Sequence, residues 1–420
     1  MLTLLNDLPE EGEAKLWPGM EKLAERLAHL IPHLPLTSPV LVSGDWGSGK
    51  TTLLKAVERK IPEDRRIFFE AWRYEAEALL LPALLRAIWK KLPEDKRKEK
   101  ASLAAKIFET ALTLSLSLGG SLAKLAGGPA PLVVEALFGF YEKEKKDAAQ
   151  PQEPPKDVAL ALQEDFSKLV SGAWTEEAPL IVFVDDLDRC GPECAVRLLE
   201  ALRMLLHQTA TTGKLPCRFV VALDRKVLTH AVALKYEGVN RYEGNRYLEK
   251  LFPFSFELPQ PQGGEVHQLI EKILGDQQGG ENEGNERDAL ATALAEAVFA
   301  NPRLIKRCVN RFRLILEFEK EDPRAVQHPA ESLETLARWI AAVERWPNLR
   351  RLLASRDEAF WRQLREALAA PNGAQLDADV RALLQEDGVE AWMRTTFLSV
   401  RGDQISAYQE ANRRLRAWGL

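Results

Sequence analysis

The chain contains 420 residues, of which 46% are hydrophobic and 28% are charged, a composition typical of a globular protein with two or three domains. Its formal net charge of −5 argues against nucleic-acid binding along the whole surface, although a local basic face is compatible with that charge. The first residues lack the basic and apolar regions of a signal peptide. Four scattered cysteines exclude a disulfide framework and predict reduced thiols in a cytoplasmic protein: Cys190, Cys194, Cys217 and Cys308.

The first predicted elements are an amphipathic helix over 14–31 and a short buried strand at Val40–Val42. A glycine-rich loop follows the strand and matches the pattern G-x-x-x-x-G-K-[ST] from Gly44 to Thr51. Leucine and valine then recur at helical spacing, so the loop lies between a strand and a helix. This motif requires that context.

The loop has the chemistry of a phosphate-binding site. Glycines let backbone N–H groups approach a ligand closely, and the start of a helix favours anions. Lys50 would reach the β/γ-phosphates of a nucleotide, and the Thr51 hydroxyl would coordinate Mg²⁺. A glycine-rich turn without a ligand is the alternative. The residues predicted to contact the nucleotide are Gly44, Asp45, Trp46, Gly47, Ser48, Gly49, Lys50, Thr51 and Thr52.

An unusual apolar segment at 101–140 follows a predicted strand at 67–69 and a predicted helix at 77–92. Its uncharged runs have 14 and 10 residues and are separated by Lys124. A membrane-spanning helix needs about 20 apolar residues. We therefore predict a buried or partner-facing helical hairpin without stable membrane insertion, with membrane association as the alternative. A polar linker with prolines closes the insertion at 143–157.

The next predicted strand, Leu180–Val184, runs into three carboxylates within four positions. In an open parallel sheet, ligands bind at the carboxyl ends of the strands. We expect Asp185 to hold Mg²⁺ beside the glycine loop, and Asp186 to orient or polarise an attacking water. Asp188 and Arg189 would surround these two residues.

A further strand, Phe219–Leu223, ends in Asp224 and Arg225. A polar residue at this position can sense a γ-phosphate, and an arginine can stabilise charge in a transition state. An exposed pair in a turn is the alternative interpretation. Residues 241–260 then predict a short helix and an extended exit segment.

Alternating strands and helices predict an α/β fold with a parallel sheet between two helical layers. From residue 286 onward the periodic pattern is helical. Asn301 is placed to cap one of these helices. Four cations of that helix are spaced to share one face: Arg303, Lys306, Arg307 and Arg311. Arg303 is the predicted catalytic residue of this group, and a basic surface helix is the alternative. The predicted domains are a lead-in at 1–37, a core at 38–100 and 158–260, a helical insertion with its linker at 101–157, and a helical lid at 261–420.

Seven stretches together resemble the KAP family of P-loop NTPases: GDWGSGKTTLL, FFEAWRY, VFVDDLDRC, FVVALDRKVL, YLEKLFPFSFELP, NPRLIKRCVNRF and VERWPNL. They run in order from about residue 20 to about residue 350. The resemblance implies a P-loop fold with an additional strand in the sheet (the ASCE type), a helical lid, ATP and Mg²⁺. Many members of this family carry transmembrane helices where this chain has residues 101–140.

These observations predict an Mg²⁺-dependent ATPase that works as a switch or motor in bacterial anti-phage defence or a related signalling assembly. We expect a homo-oligomer, a separate effector protein, or both. The alternatives are an ATP-binding scaffold with negligible turnover and a small-molecule kinase. The paired acids Asp185 and Asp186 favour hydrolysis, because binding alone does not need the second acid. Arg189, Arg225 and Arg246 cannot all reach one γ-phosphate within a chain, so we expect one of them to act on a neighbouring subunit.

Overall fold

The computed structural model describes residues 5, 18–74, 80–117, 158–206, 215–235, 241–261, 264–274, 290–295, 301–321, 330–349, 364, 366, 368, 378–386, 388–394, 411 and 414. The chain divides into two compact units. The first unit contains 1–19, 47–49 and 260–420, and the second contains 20–46 and 50–259.

A parallel five-stranded sheet forms the centre of the second unit. Its strands are β1 (Val40–Ser43), β2 (Arg66–Glu70), β3 (Leu180–Asp185), β4 (Cys217–Leu223) and β5 (Phe254–Glu257), in the spatial order β2-β3-β4-β1-β5. Strand β4 therefore lies between β1, which precedes the glycine loop, and β3, which ends in the acidic residues. This is the additional-strand arrangement, and it confirms the predicted fold class.

The register of the strands brings their carboxyl ends to one edge of the sheet. Ser43 at the end of β1 lies opposite both Leu223 of β4 and Glu257 of β5, and Glu70 of β2 lies opposite Asp185 of β3. The extended exit segment predicted within 241–260 is thus a strand that completes the sheet. Every residue of β3 and β4 is buried, as expected for strands that are covered on both faces.

Helices surround this sheet in the second unit. They are α1 (Pro18–Leu30), α2 (Lys50–Arg59), α3 (Leu80–Lys91), α4 (Glu94–Glu99), α5 (Ala101–Ser117), α6 (Val158–Val170), α7 (Pro192–Leu206), α8 (Arg225–Lys235) and α9 (Arg241–Leu251). Helices α3, α5, α6, α7, α8 and α9 share one hydrophobic core with strands β1 to β4, because each amphipathic helix must bury its apolar stripe.

Helix α5 is the described part of the apolar segment predicted at 101–140. Its residues Ala104, Ile107 and Phe108 are buried in the same core as the sheet. The helix runs antiparallel to α6, since Lys106 Nζ lies 2.8 Å from Asp165 Oδ2 and Lys100 Nζ donates to backbone carbonyls at the end of α6. Residues 118–157 lie outside the described residues, so the hairpin remains a prediction. None of the described helices is long and apolar enough to cross a membrane.

The described elements after residue 260 are all helical. They are α10 (Gly264–Leu274), α11 (Pro302–Glu321), α12 (Ala330–Arg345), α13 (Ala378–Leu384) and α14 (Val389–Met393). The side chain of Asn301 caps α11, because its Oδ1 accepts hydrogen bonds from the backbone N–H groups of Arg303 (3.1 Å) and Leu304 (3.4 Å).

Helices α11 and α12 are joined by an ion-pair cluster around Glu344 of α12. The Glu344 side chain is only 2% exposed, and its carboxylate lies 2.8 Å from Arg307 Nη2 and 2.6 Å from Arg311 Nη1. These two arginines of α11 therefore neutralise a buried carboxylate inside their own unit. Arg307 and Arg311, which were predicted to share one face of this helix with Arg303 and Lys306, thus both bind Glu344.

Candidate nucleotide-binding site

The glycine loop connects β1 to α2, and α2 begins at Lys50. Gly47 and Gly49 have φ angles of 82° and 101°, which L-residues with side chains rarely adopt. Lys50, Thr51 and Thr52 form the first turn of α2, where the unpaired N–H groups and the helix dipole favour an anion. Ser48 Oγ is buried without a hydrogen-bond partner among the described residues, which fits a loop that binds a polar ligand.

Gly47 lies against the start of helix α11, which belongs to the same compact unit. A Cβ atom added at Gly47 would lie 2.8 Å from Asn301 Oδ1 and 2.8 Å from Arg303 Cβ. Only glycine fits at this position, because the neighbouring atoms leave no space and φ is positive. Arg303 therefore lies beside Gly47.

Asp185 is the last residue of β3 and is 2% exposed. The Thr51 hydroxyl donates a hydrogen bond to its carboxylate, while Asp185 Oδ2 is buried without a partner in the described part of the chain. Burial and the charge of Asp186 raise the pKa of Asp185 to about 6, although the Thr51 hydrogen bond opposes this shift. A hydroxyl beside a carboxylate with an unused oxygen is a donor set that suits a hard cation.

The donor set fits the way in which Mg²⁺ is usually bound. Mg²⁺ commonly uses one or two protein carboxylates and completes its shell with phosphate oxygens and water. Within the described ranges, no cluster of three or more His, Cys, Asp or Glu side chains is arranged to hold a metal on its own. The pair Thr51–Asp185 is thus suited to Mg²⁺ that arrives with a nucleotide.

Asp186 stands in a tight turn directly after β3. Its φ of 57° and ψ of 27° are left-handed, and no other described non-glycine residue has a positive φ. Arg189 Nε lies 2.9 Å from Asp186 Oδ1, and the Arg189 guanidinium lies over the Trp46 ring at 5.4 Å from its centroid. Trp46 belongs to the glycine loop and is 45% exposed. Arg189 therefore connects Asp186 to the glycine loop, and the strained backbone at Asp186 is typical of a functional turn.

The Lys50 ammonium makes three contacts in this region. Its Nζ donates hydrogen bonds to the carbonyl oxygens of Gly44 (2.9 Å) and Asp45 (3.2 Å), and lies 3.5 Å from Asp188 Oδ2. The same Asp188 oxygen accepts a hydrogen bond from the backbone N–H of Asp224 at 3.0 Å. Asp188 therefore joins the glycine-loop lysine to the end of strand β4.

The Asp224–Arg225 pair has structural partners. Asp224 Oδ1 accepts a hydrogen bond from the backbone N–H of Lys226 at 2.8 Å, so Asp224 caps helix α8. Arg225 Nη2 lies 3.3 Å from Glu249 Oε1 of helix α9. Arg225 thus contacts α9, while Asp224 contacts Asp188 through its backbone.

Two residues at this edge were not singled out from the sequence. Lys226 Nζ lies 2.9 Å from Asp45 Oδ1 and ties α8 to the glycine loop. Glu70, opposite Asp185 in the sheet, forms an ion pair with Arg73 at 2.8 Å. A carboxylate at the end of the "RIFFE" strand was a usable signal for Glu70. No pattern in the sequence indicates that Lys226 folds back onto Asp45.

Comparison with known proteins agrees with this geometry. The model of the KAP family P-loop domain matches residues 20–318 of this chain. The chain is also 26% identical over 333 residues to the phage T7 exclusion protein of Escherichia coli (strain K12). The aligned region covers 73% of this chain and 42% of that protein, so the chain spans less than half of the relative's length. The family match covers well over half of the chain, which therefore belongs to the KAP family of P-loop NTPases.

Proposed function

We propose that the protein is an Mg²⁺-dependent ATPase whose site is built around the glycine loop and Asp185. The observation that carries this proposal is the hydrogen bond from Thr51 to Asp185, whose second carboxylate oxygen is buried without a partner among the described residues. Thr51 and Asp185 would hold Mg²⁺, and the N–H groups of the loop would hold the phosphates. Bound Mg²⁺ supplies positive charge that offsets the charge of the transferring phosphoryl group.

Other residues of the site would bind the phosphates, orient the attacking water and add positive charge. The Lys50 ammonium would bind the β/γ-phosphate oxygens, and Asp186 would orient the attacking water. Arg303, beside Gly47, is the candidate that would add positive charge near the phosphates. Arg225 would have to leave Glu249 before it could do the same. Hydrolysis is favoured over mere binding because a second carboxylate follows the metal-holding one.

One observation favours a second candidate function, an ATP-binding scaffold with negligible turnover. The Asp186 carboxylate lies 2.9 Å from Arg189 Nε, so one of its oxygens is engaged in an ion pair and does not face a water. Hydrolysis would then require Arg189 to move. Measured turnover separates the two candidates.

The biological part of the proposal is a role in bacterial anti-phage defence, because the chain resembles a phage exclusion protein. A homo-oligomer or a separate effector would carry the nucleotide signal. The location would be cytoplasmic, where ATP is plentiful and where thiols remain reduced, and all four cysteines are buried thiols. Oligomer formation is tested by sedimentation with and without ATP and Mg²⁺. Monomers under both conditions, with full activity at high dilution, would refute it.

The central experiment measures phosphate release from ATP by the purified chain. We expect release that requires Mg²⁺, stops in EDTA and is lost in Lys50→Ala together with tight ATP binding. Stoichiometric ATP binding without phosphate release would support the scaffold instead. Phosphate transfer only after a small acceptor molecule is added would indicate a kinase. Absence of any nucleotide binding would refute the proposal.

A further inference from the structure

The Lys50 ammonium has a full set of partners in the described geometry. An ammonium group has three N–H donors. Two of them serve the carbonyl oxygens of Gly44 and Asp45, and the third faces Asp188 Oδ2. A phosphate oxygen that binds to Lys50 must therefore displace one of these three partners.

Asp188 is the partner that a phosphate would replace. The two carbonyls belong to the same loop as Lys50, and the Asp188 contact, at 3.5 Å, is the longest of the three. The side chains of Lys50 and Asp188 are 10% and 5% exposed, so their attraction is screened less than that of a surface pair. Phosphate and Asp188 are both negative, and one ammonium cannot fully neutralise both.

We propose that Asp188 competes with the β/γ-phosphates for the Lys50 ammonium, and so weakens nucleotide binding and speeds nucleotide release. This inference rests on the proposed nucleotide site. It assigns to Asp188 a positioning role that acts through Lys50, without contact between Asp188 and the nucleotide.

A ring of contacts keeps Asp188 in place during this exchange. Asp188 retains the backbone N–H of Asp224 when Lys50 leaves it. Asp224 Oδ1 accepts a hydrogen bond from the backbone N–H of Lys226, and Lys226 Nζ in turn forms an ion pair with Asp45 of the glycine loop. Since Asp188 keeps its hydrogen bond and its position, it can recover the ammonium as the phosphates depart. The exchange is therefore reversible in every catalytic cycle.

The test is Asp188→Asn, because the amide oxygen can still accept the hydrogen bond from Asp224 while the charge is lost. Affinity for ADP and for a non-hydrolysable ATP analogue, each with Mg²⁺, is measured by titration calorimetry. Release of a fluorescent ADP is measured by stopped flow. We expect the Kd to fall on the order of tenfold and release to slow by a similar factor. Glu94→Gln is the matched control, since it removes one charge from an exposed ion pair with Lys98 and should change neither quantity.

Each outcome decides the inference. Unchanged or weaker binding by Asp188→Asn, when the wild type binds nucleotide, overturns it and leaves the proposed function intact. No binding by the wild type overturns both. A purely structural role for Asp188 would lower stability without tightening binding. If Asp188→Asn does not fold, Asp188→Ser removes the same charge and must show the same gain. Failure of both variants to fold would assign Asp188 to the fold alone and overturn the inference.

Discussion

Replacing Asp185 by asparagine should change the pH dependence of stability in a direction that the site geometry fixes. Burial and the neighbouring Asp186 raise the pKa of Asp185 from 3.8 to about 6 in the folded chain. Keeping this carboxylate ionised therefore costs the folded state about 3 kcal/mol at neutral pH. This destabilisation is expected where a buried carboxylate keeps one oxygen, Asp185 Oδ2, without a hydrogen-bond partner among the described residues, so that a cation can bind there.

The sign follows from proton binding. A raised carboxyl pKa means that the folded protein binds the proton more tightly than the unfolded chain does. The contribution of Asp185 to stability therefore decreases as the pH rises from below 3.8 to about 6, and then levels off. Between about pH 4.5 and about pH 7.5 the wild type should lose about 2 kcal/mol through this group, and Asp185→Asn should not.

Urea unfolding in EDTA at these two pH values measures the effect. The buried amide of Asp185→Asn changes stability at both pH values. The diagnostic quantity is therefore the variant's free energy of unfolding minus that of the wild type, compared between high pH and low pH. We expect a difference of about 2 kcal/mol, and none for Glu94→Gln on the surface. ATP with Mg²⁺ should stabilise the wild type more than Asp185→Asn. If the variant's free energy of unfolding exceeds that of the wild type equally at both pH values, or more at low pH, then Asp185 is not a buried carboxylate with a raised pKa.

Two further substitutions test the glycine loop and the helical region. Gly47→Ala should lower thermal stability and nucleotide affinity, because the added Cβ would meet Asn301 and Arg303 and φ is positive at this position. Gly191→Ala is the control and should change neither quantity, because a Cβ at Gly191 has open space around it. Equal effects of the two substitutions would contradict the tight fit at Gly47. Glu344→Ala should destabilise the chain by about 3 kcal/mol in urea unfolding, because two arginines lose a buried partner; a loss no larger than that of an exposed glutamate would contradict it.

Local patterns were enough to predict the secondary structure around the candidate site. The glycine loop, the buried strand before Asp185 and the cap at Asn301 each depend on neighbours within a few residues, and the structure has the predicted strand, the helix start at Lys50 and the cap. The alternation of strands and helices also predicted the parallel sheet, which the structure confirms. These features are encoded by backbone preferences and hydrophobic periodicity.

Features that depend on distant parts of the chain were not predictable in the same way. The segment Phe254–Glu257 is recognisable as extended, but its pairing with β1 is decided by the folding of more than 200 intervening residues. The ion-pair partners of individual cations are likewise decided by the folding of distant parts of the chain. Arg307 neutralises Glu344, and Lys226 binds Asp45, because the fold brings these side chains within ion-pair distance. A charge pattern in the sequence does not specify such distances.

The most direct test of the central claim is a single-turnover comparison of the wild type with Asp186→Asn. Radiolabelled ATP with Mg²⁺ is mixed with excess protein, and bound nucleotide and released phosphate are followed together. We expect Asp186→Asn to bind ATP as tightly as the wild type, because Lys50, Thr51 and Asp185 are intact, but to release phosphate on the order of 10²-fold more slowly. Wild-type phosphate release by Asp186→Asn would contradict the catalytic role of Asp186 and the mechanism proposed here.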